Sequence, residues 1–398
     1  MKNKKLFWIY VLSASIYFTQ GIESLPGLAF FFYLKERLGF TPEKIMYISA
    51  LTGLAWVIKP LYGYIVDNFL SNKKWIILSL LGSILISLFF GLSLWLPVAM
   101  IIVMGTIGNF NSALRDVSVD GLMCVQGKET KSCDTIQACQ WIAITIASII
   151  VGLSGGYIAD HFSYRFAYLC LIPIYLIIIG IVLKYKGSNA KRLTAPATNL
   201  KPLATLLSYK ELFTDKSFLI GCIFLFLYKF SPSFGTPLQF IQRNNFHWSG
   251  TWMGTLAAIC SVFEIIGAIV FFKYCKRINT KKWLYYSVFL GALTSLAYLY
   301  YTPKSAIIYG ILFGVIGMFI HLIFMSWMAN QTIKGKEATS FALLCGISNL
   351  ATGTASSLTG AWLFPLIGLK YLIILSAGTS FLCLPLIPLI FKDKNERP

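Results

Sequence analysis

Residues 63–75 read GYIVDNFLSNKKW, and residues 267–283 read GAIVFFKYCKRINTKKW. Each stretch leaves a long apolar run at a glycine, crosses a short polar segment and ends on Lys-Lys-Trp. The glycines stand 204 residues apart and the tryptophans 208, so the second copy carries four extra residues. A second pair keeps the same spacing: GGYIADHFSYRFAY from Gly155 and TGAWLFPLIGLKYL from Thr359 put Gly156 and Gly360 204 apart. A single offset close to half of 398 residues signals an internal duplication, two structurally related halves in one chain.

The apolar runs around these glycines say what each half is made of. A membrane-crossing helix needs about 20 mostly apolar residues. Runs of that size fall at 6–33, 42–66, 75–95, 97–120, 134–156, 163–185, 217–241, 250–274, 281–301, 304–332, 337–362 and 366–391. The expected fold is therefore an all-α membrane protein of twelve transmembrane helices in two pseudo-symmetric six-helix bundles. The bundles take residues 1–185 and 217–398, joined by a polar connector at 186–216. With 57% hydrophobic and only 12% charged residues the chain is neither soluble nor disordered. The runs are too long and too uniformly apolar for the alternating strands of a membrane β-barrel.

Lys and Arg number 34 against 15 Asp and Glu, a net charge of +19. A nucleic-acid partner would need that charge on a folded polar surface, which a chain this apolar lacks. Its placement fits topology instead. With the N-terminus inside, 24 of the basic residues fall in cytoplasmic segments, seven in outer loops and three within spans. Both termini are expected in the cytoplasm of a cell (plasma or inner) membrane, with the basic loops facing anionic membrane lipids. The basic start Met1-Lys2-Asn3-Lys4-Lys5 leads into an apolar run too long for a cleaved signal and reads as the first span. Nine cysteines without a C-x-x-C or Cys/His cluster point to neither disulfide nor metal, and no cofactor is expected.

An ionisable group inside a span costs a few kcal/mol and is a functional candidate by default. Eight remain once loop charges are removed: Glu23, Lys59, Arg115, Asp116, Asp120, Lys229, Glu264 and His321. The repeat relates six of them, pairing Glu23 with Lys229, Lys59 with Glu264 and Asp116 with His321 at offsets of 205 or 206. Polar or small residues line one helical face beside several of these groups: Ser13, Tyr17, Gln20, Ser24 and Gly27 in the first span; Asn109, Ser112, Ala113, Asp116 and Asp120 in the fourth; and Lys229, Ser233 and Thr236 in the seventh. Such stripes either line a cavity or bind helices together. The second reading weighs as much as the first for Ser348, Asn349, Thr352, Ser356 and Thr359.

Lys59 lies about 10 Å from the cytoplasmic end of its span at 1.5 Å per residue. It is expected to meet Asp116 or Asp120, either as a gate or as a permanent neutralising pair, with Pro60 as a kink beside it. Lys229 and Arg115 suit an anionic group, and Trp56, Tyr17, Tyr228 or Phe234 a flat ring. Glu23, with no base next to it in sequence, is the first candidate for a coupling proton, and His321 the second.

The loop after the second span, Gly63-x-x-x-Asp67 followed by Lys73 and Lys74, resembles the G-x-x-x-D-R-x-G-R-R/K signature of the major facilitator superfamily, with Asn68 at the Arg position and Phe271 at the second-half Asp position. WVIKPLYGYIVDNF from Trp56 and DVSVDG from Asp116 are similar to the W-x-x-K-P-L-Y-G-x-x-S-D and D-V-x-V-D-A/G patterns of the folate–biopterin transporter family. Gln20-Gly21 and YLKERLGFTPEK from Tyr33 add to that resemblance. It implies a secondary active transporter of a small organic anion, folate or a pterin, coupled to protons, with Gly63 and Asp67 in conformational roles. Asp67 would cap a neighbouring helix N-terminus. S-adenosylmethionine or a muropeptide are alternative cargoes by the same mechanism. A membrane enzyme lacks any nucleophile–base or metal constellation here, and an ATP-driven pump its phosphate loop. A channel fits two non-identical halves less well than alternating access.

Overall fold

Prolines and glycines within the apolar runs decide where helices start and stop. The computed structural model describes residues 2–130, 133–185, 214–274, 277–332 and 337–392, and every regular element among them is helical. In chain order these are α1 (Lys2–Ile22), α2 (Gly27–Phe32), α3 (Pro42–Val57), α4 (Lys59–Asn68), α5 (Asn72–Leu92), α6 (Val98–Thr130), α7 (Cys133–His161) and α8 (Tyr164–Lys184). There follow α9 (Lys216–Lys229), α10 (Gly235–Asn244), α11 (Gly250–Tyr274), α12 (Thr280–Ala297), α13 (Pro303–Asn330), α14 (Glu337–Asn349), α15 (Ser356–Thr379) and α16 (Leu389–Lys392). Most of the 186–216 connector lies outside the described residues.

Eight stretches among the described residues are long and apolar enough to cross a membrane. The first, seventh and ninth runs expected from sequence are not in that set, and the last two fall within one stretch, Ser340–Leu386. The first and seventh runs are each broken by a proline. The run at 6–33 is broken between Ile22 and Gly27, ahead of Pro26, and the run at 217–241 is broken between Lys229 and Gly235, around Pro232. Proline brings no N–H to a helix and clashes with the preceding turn. Gly368 interrupts Ser340–Leu386 with φ 70° and ψ 175°, a conformation open to glycine and costly for other residues.

The chain forms two compact units. The first takes Met1–Gly39, Leu61–Asn199 and Trp248–Val262. Within it, helices approach closely where side chains are smallest: a Cβ on Gly156 would sit 2.6 Å from the Gly250 carbonyl, so α7 and the start of α11 touch backbone to backbone. The Asp160 carboxylate caps α11 from outside that helix, accepting the Gly250 and Thr251 N–H groups at 2.6 and 2.7 Å. Lys73, from the loop motif, donates to the Leu183 and Tyr185 carbonyls at 3.0 Å and so closes the C-terminal end of α8.

The second unit takes Phe40–Pro60, Leu200–His247 and Phe263–Pro398. Its core packs Phe224, Phe324 and Trp327 with Leu284, Leu344 and Ile387. Here α3 lies against α14 and α15. Helical geometry fails at Ile58 (ψ 12°), just before Pro60. With no N–H at Pro60, the Trp56 carbonyl four residues earlier loses its helical donor, and Asn349 Nδ2 supplies one at 3.2 Å. From a π turn at Leu350–Ala355, Thr354 adds a hydrogen bond to the Ala50 carbonyl of α3 at 3.2 Å. The polar stripe of this segment binds helices together.

Candidate functional site

Both proline breaks carry an ionisable residue. Glu23 follows the last residue of α1, three before Pro26; Lys229 ends α9, three before Pro232. The two prolines stand 206 apart, the same spacing as Glu23 and Lys229. Paired helix interruptions at corresponding positions of two repeats are where transporters of this architecture hold substrate and coupling ions. Hydropathy makes both segments continuous, although Pro26 and Pro232 carry the signal. Glycines of the duplicated segment face each break. A Cβ on Gly155 would stand 3.0 Å from the Leu25 carbonyl, and one on Gly360 2.9 Å from the Ser233 N–H. The second break is held further by hydrogen bonds from Ser233 N–H to the Ser356 carbonyl (2.9 Å) and from Ser231 N–H to Ser356 Oγ (3.3 Å), and by a Ser231–Ser376 hydroxyl contact.

In the first unit Glu23 has a base after all, 92 residues on. Arg115 Nη2 lies 2.6 Å from Glu23 Oε1, with the arginine side chain 1% and the glutamate 18% exposed. Ser112 Oγ donates to Glu23 Oε2 at 2.8 Å, Tyr175 to Oε1 at 3.0 Å and Ser83 to Oε1 at 3.4 Å. Arg115 Nη1 also donates to Ser83 at 3.2 Å and Nη2 to Ser112 at 3.3 Å. Four helical segments thus converge on one neutral cluster, and the guanidinium expected to clamp a ligand clamps Glu23. Tyr17 donates to Asp120 at 3.0 Å, so the stripes of the first and fourth spans face each other; Asp116, one turn away, is buried.

In the second unit Lys229 is held differently. Its ammonium lies 5.0 Å from the Phe324 ring centroid and 6.0 Å from that of Tyr228. Among the described residues no carboxylate stands within 4 Å of it. Aromatic faces stabilise a cation without neutralising it, so the charge remains available to an anion. Tyr228 turns its hydroxyl away, donating to Ser287 at 2.7 Å. His321 and Glu264 are half-buried on α13 and α11, and Lys59 lies 5.8 Å from the Trp56 ring. Gly63 has open space where a Cβ would sit. The Asp67 side chain, expected as a helix cap, lies outside the described residues.

The family model of the BT1 family matches residues 20–397, nearly the whole chain and both proline breaks. The chain belongs to the BT1 family. Relatives of this BT1 protein include a folate-biopterin transporter of Synechocystis sp., 25% identical over 98% of this chain and 84% of that one. Folate transporter 1 of Plasmodium falciparum is 22% identical over 98% of this chain and 80% of its own length. A probable folate-biopterin transporter 4 of Arabidopsis thaliana is 29% identical over 53% of this chain and 42% of its own. These relatives are transporters, not enzymes. Among solved structures, a mutant of the nucleoside transporter NupG superposes with a TM-score of 0.76 at 15% identity, covering 98% of this chain and 100% of that one. A POT family transporter superposes with a TM-score of 0.73 at 13% identity, over 98% of this chain and 97% of its own. At such identities the likeness concerns the fold alone: this BT1 protein is a multi-pass membrane protein, helical in every regular element among the described residues, with the fold of these solved transporters.

Proposed function

We propose that the chain is a secondary active transporter that carries a flat organic anion of the folate or pterin class by alternating access, coupled to protons. Twelve crossings in two six-helix bundles, 1–185 and 217–398, with both termini cytoplasmic, would complete the architecture, and the 24 basic residues against seven in outer loops support that orientation. The observation that carries the reading is Lys229, an ammonium at a helix break, walled by aromatic rings and without a carboxylate partner among the described residues. A cation left unneutralised within a span is costly, and an anionic substrate offsets that cost when it binds. Glu23 is the proton-coupling candidate, and taking up a proton there would part its ion pair with Arg115. Lys59, Asp116, Asp120, Glu264 and His321 are assigned to binding or coupling, and Pro60, Gly63 and Asp67 to the conformational cycle. The substrate class rests on what the relatives are named for.

The experiment is radiolabelled uptake of folate, a pterin and neutral controls into proteoliposomes, with and without an inward proton gradient. Folate uptake should be stimulated by the gradient and fall at least about tenfold in Lys229→Met, with Lys229→Arg retaining part of it. Equal uptake by Lys229→Met would refute the anion site.

A further inference from the structure

The second unit contains a cavity of about 360 Å³ between α9, α12, α13 and the helical turn that follows α15. In the first unit Glu23, Ser83, Ser112, Arg115 and Tyr175 form one hydrogen-bonded cluster. At an offset of 205 residues, Ser112, Arg115 and Tyr175 correspond to Gly317, Ile320 and Ser380, and all three line the cavity. Where the first unit has the Arg115 guanidinium and the Ser112 hydroxyl, the second has the apolar Ile320 and no side chain at Gly317. A Cβ built on Gly291 or on Gly317 meets nothing within 4 Å, so both glycines border open space.

The lining defines what would fit. No residue of it is charged. Four of its six hydroxyls have committed their hydrogens: Tyr228 donates to Ser287, Ser287 to the Leu284 carbonyl at 2.8 Å, Thr294 to the Gly291 carbonyl at 2.8 Å and Ser380 to the Ser376 carbonyl at 3.4 Å. What these four oxygens still offer is lone pairs. They present only acceptors to a carboxylate, whereas N–H donors would be matched by them. Tyr228, Tyr298 and Phe313 add aromatic surface. The volume sits at the small end of ligand pockets, about 300–1,000 Å³. Ser287 and Tyr298 lie about 16 Å apart along one helix at 1.5 Å per residue. At one wall, the Tyr228 ring has the Lys229 ammonium 6.0 Å away.

We propose that this cavity receives the uncharged, N–H-bearing heteroaromatic ring of the substrate, while the carboxylate end stays at Lys229. The proposal rests on the organic-anion reading above and divides that substrate between two subsites on one helix. A membrane lipid tail, the competing occupant, would leave the ring of acceptor oxygens unmatched.

Two fragments separate the subsites: 2-amino-4-oxopteridine, which has the ring without a carboxylate, and p-aminobenzoylglutamate, which has carboxylates without the pteridine. Equilibrium binding of each to the purified full chain in lipid nanodiscs is the measurement. Gly317→Leu should weaken the pteridine at least about tenfold by filling its site and leave the glutamate fragment unchanged. Lys229→Met should do the reverse. Ser287→Ala, which removes an acceptor, should cost the pteridine roughly tenfold, and Gly317→Ala, whose Cβ enters open space, keeps the test valid if the leucine variant fails to fold. Unchanged pteridine affinity in Gly317→Leu and Ser287→Ala, with folate uptake intact, would overturn the ring subsite and leave the transport reading standing. So would a co-purifying phospholipid that Gly317→Leu expels while pteridine affinity holds. Absence of both binding and uptake of any folate or pterin by the unmodified chain would instead refute the transport reading.

Discussion

Neutralising Glu23 and Arg115 one at a time and then together separates what the pair does for stability from what Glu23 does in transport. The ion pair is short, 2.6 Å, and its arginine is 1% exposed. Removing one partner of a buried pair strands the other charge, at a cost of about 3–5 kcal/mol. Because Glu23 keeps 18% of its side chain exposed, the lower end applies, about 3 kcal/mol for Glu23→Gln or Arg115→Met. Replacing both leaves no stranded charge, and the double variant should recover most of the loss, a coupling of at least about 2 kcal/mol. Reversible unfolding in mixed micelles, followed by tryptophan fluorescence, measures all four corners of the cycle. Additive single losses, or losses below about 0.5 kcal/mol each, would refute the buried-pair argument. The folded double variant then tests coupling: its uptake should no longer rise with external acidity. Persistent acid stimulation would remove Glu23 from the proton path while leaving the pair as a structural element.

Asn349→Ala should cost about 1 kcal/mol, because the Trp56 carbonyl loses its substitute donor. In a Pro60→Ala background, where residue 60 regains an N–H, the same substitution should cost much less, and equal losses in both backgrounds would refute the assignment. Gly156→Ala should destabilise the first unit by about 1–3 kcal/mol, its methyl group meeting the Gly250 carbonyl at 2.6 Å. Gly63→Ala, with open space around it, should unfold like the parent chain. Thermal unfolding in detergent compares the two, and equal midpoints would contradict the close helix contact.

The broken helices show where sequence and structure part. Apolar runs present the first and seventh spans as unbroken because hydropathy averages over about 19 residues, and one proline hardly changes that average. The repeat is legible because glycine and Lys-Lys-Trp positions are discrete, and its spacing alone sets Glu23 in register with Lys229. The shared proline offset lies in the same sequence and locates both breaks.

Membrane residence, the internal sequence repeat and the set of charges within apolar runs follow from the sequence by itself, since each depends on composition or on spacing along the chain. Which charge meets which partner does not. Glu23 finds Arg115 92 residues away, and Lys229 finds rings instead of a carboxylate. Those outcomes depend on how each helix is rotated and how closely neighbours approach, which packing decides. The cavity belongs to the same class. Gly291 and Gly317 are two small residues among many in the sequence, and only the tertiary structure shows that no other side chain moves in to fill the space beside them.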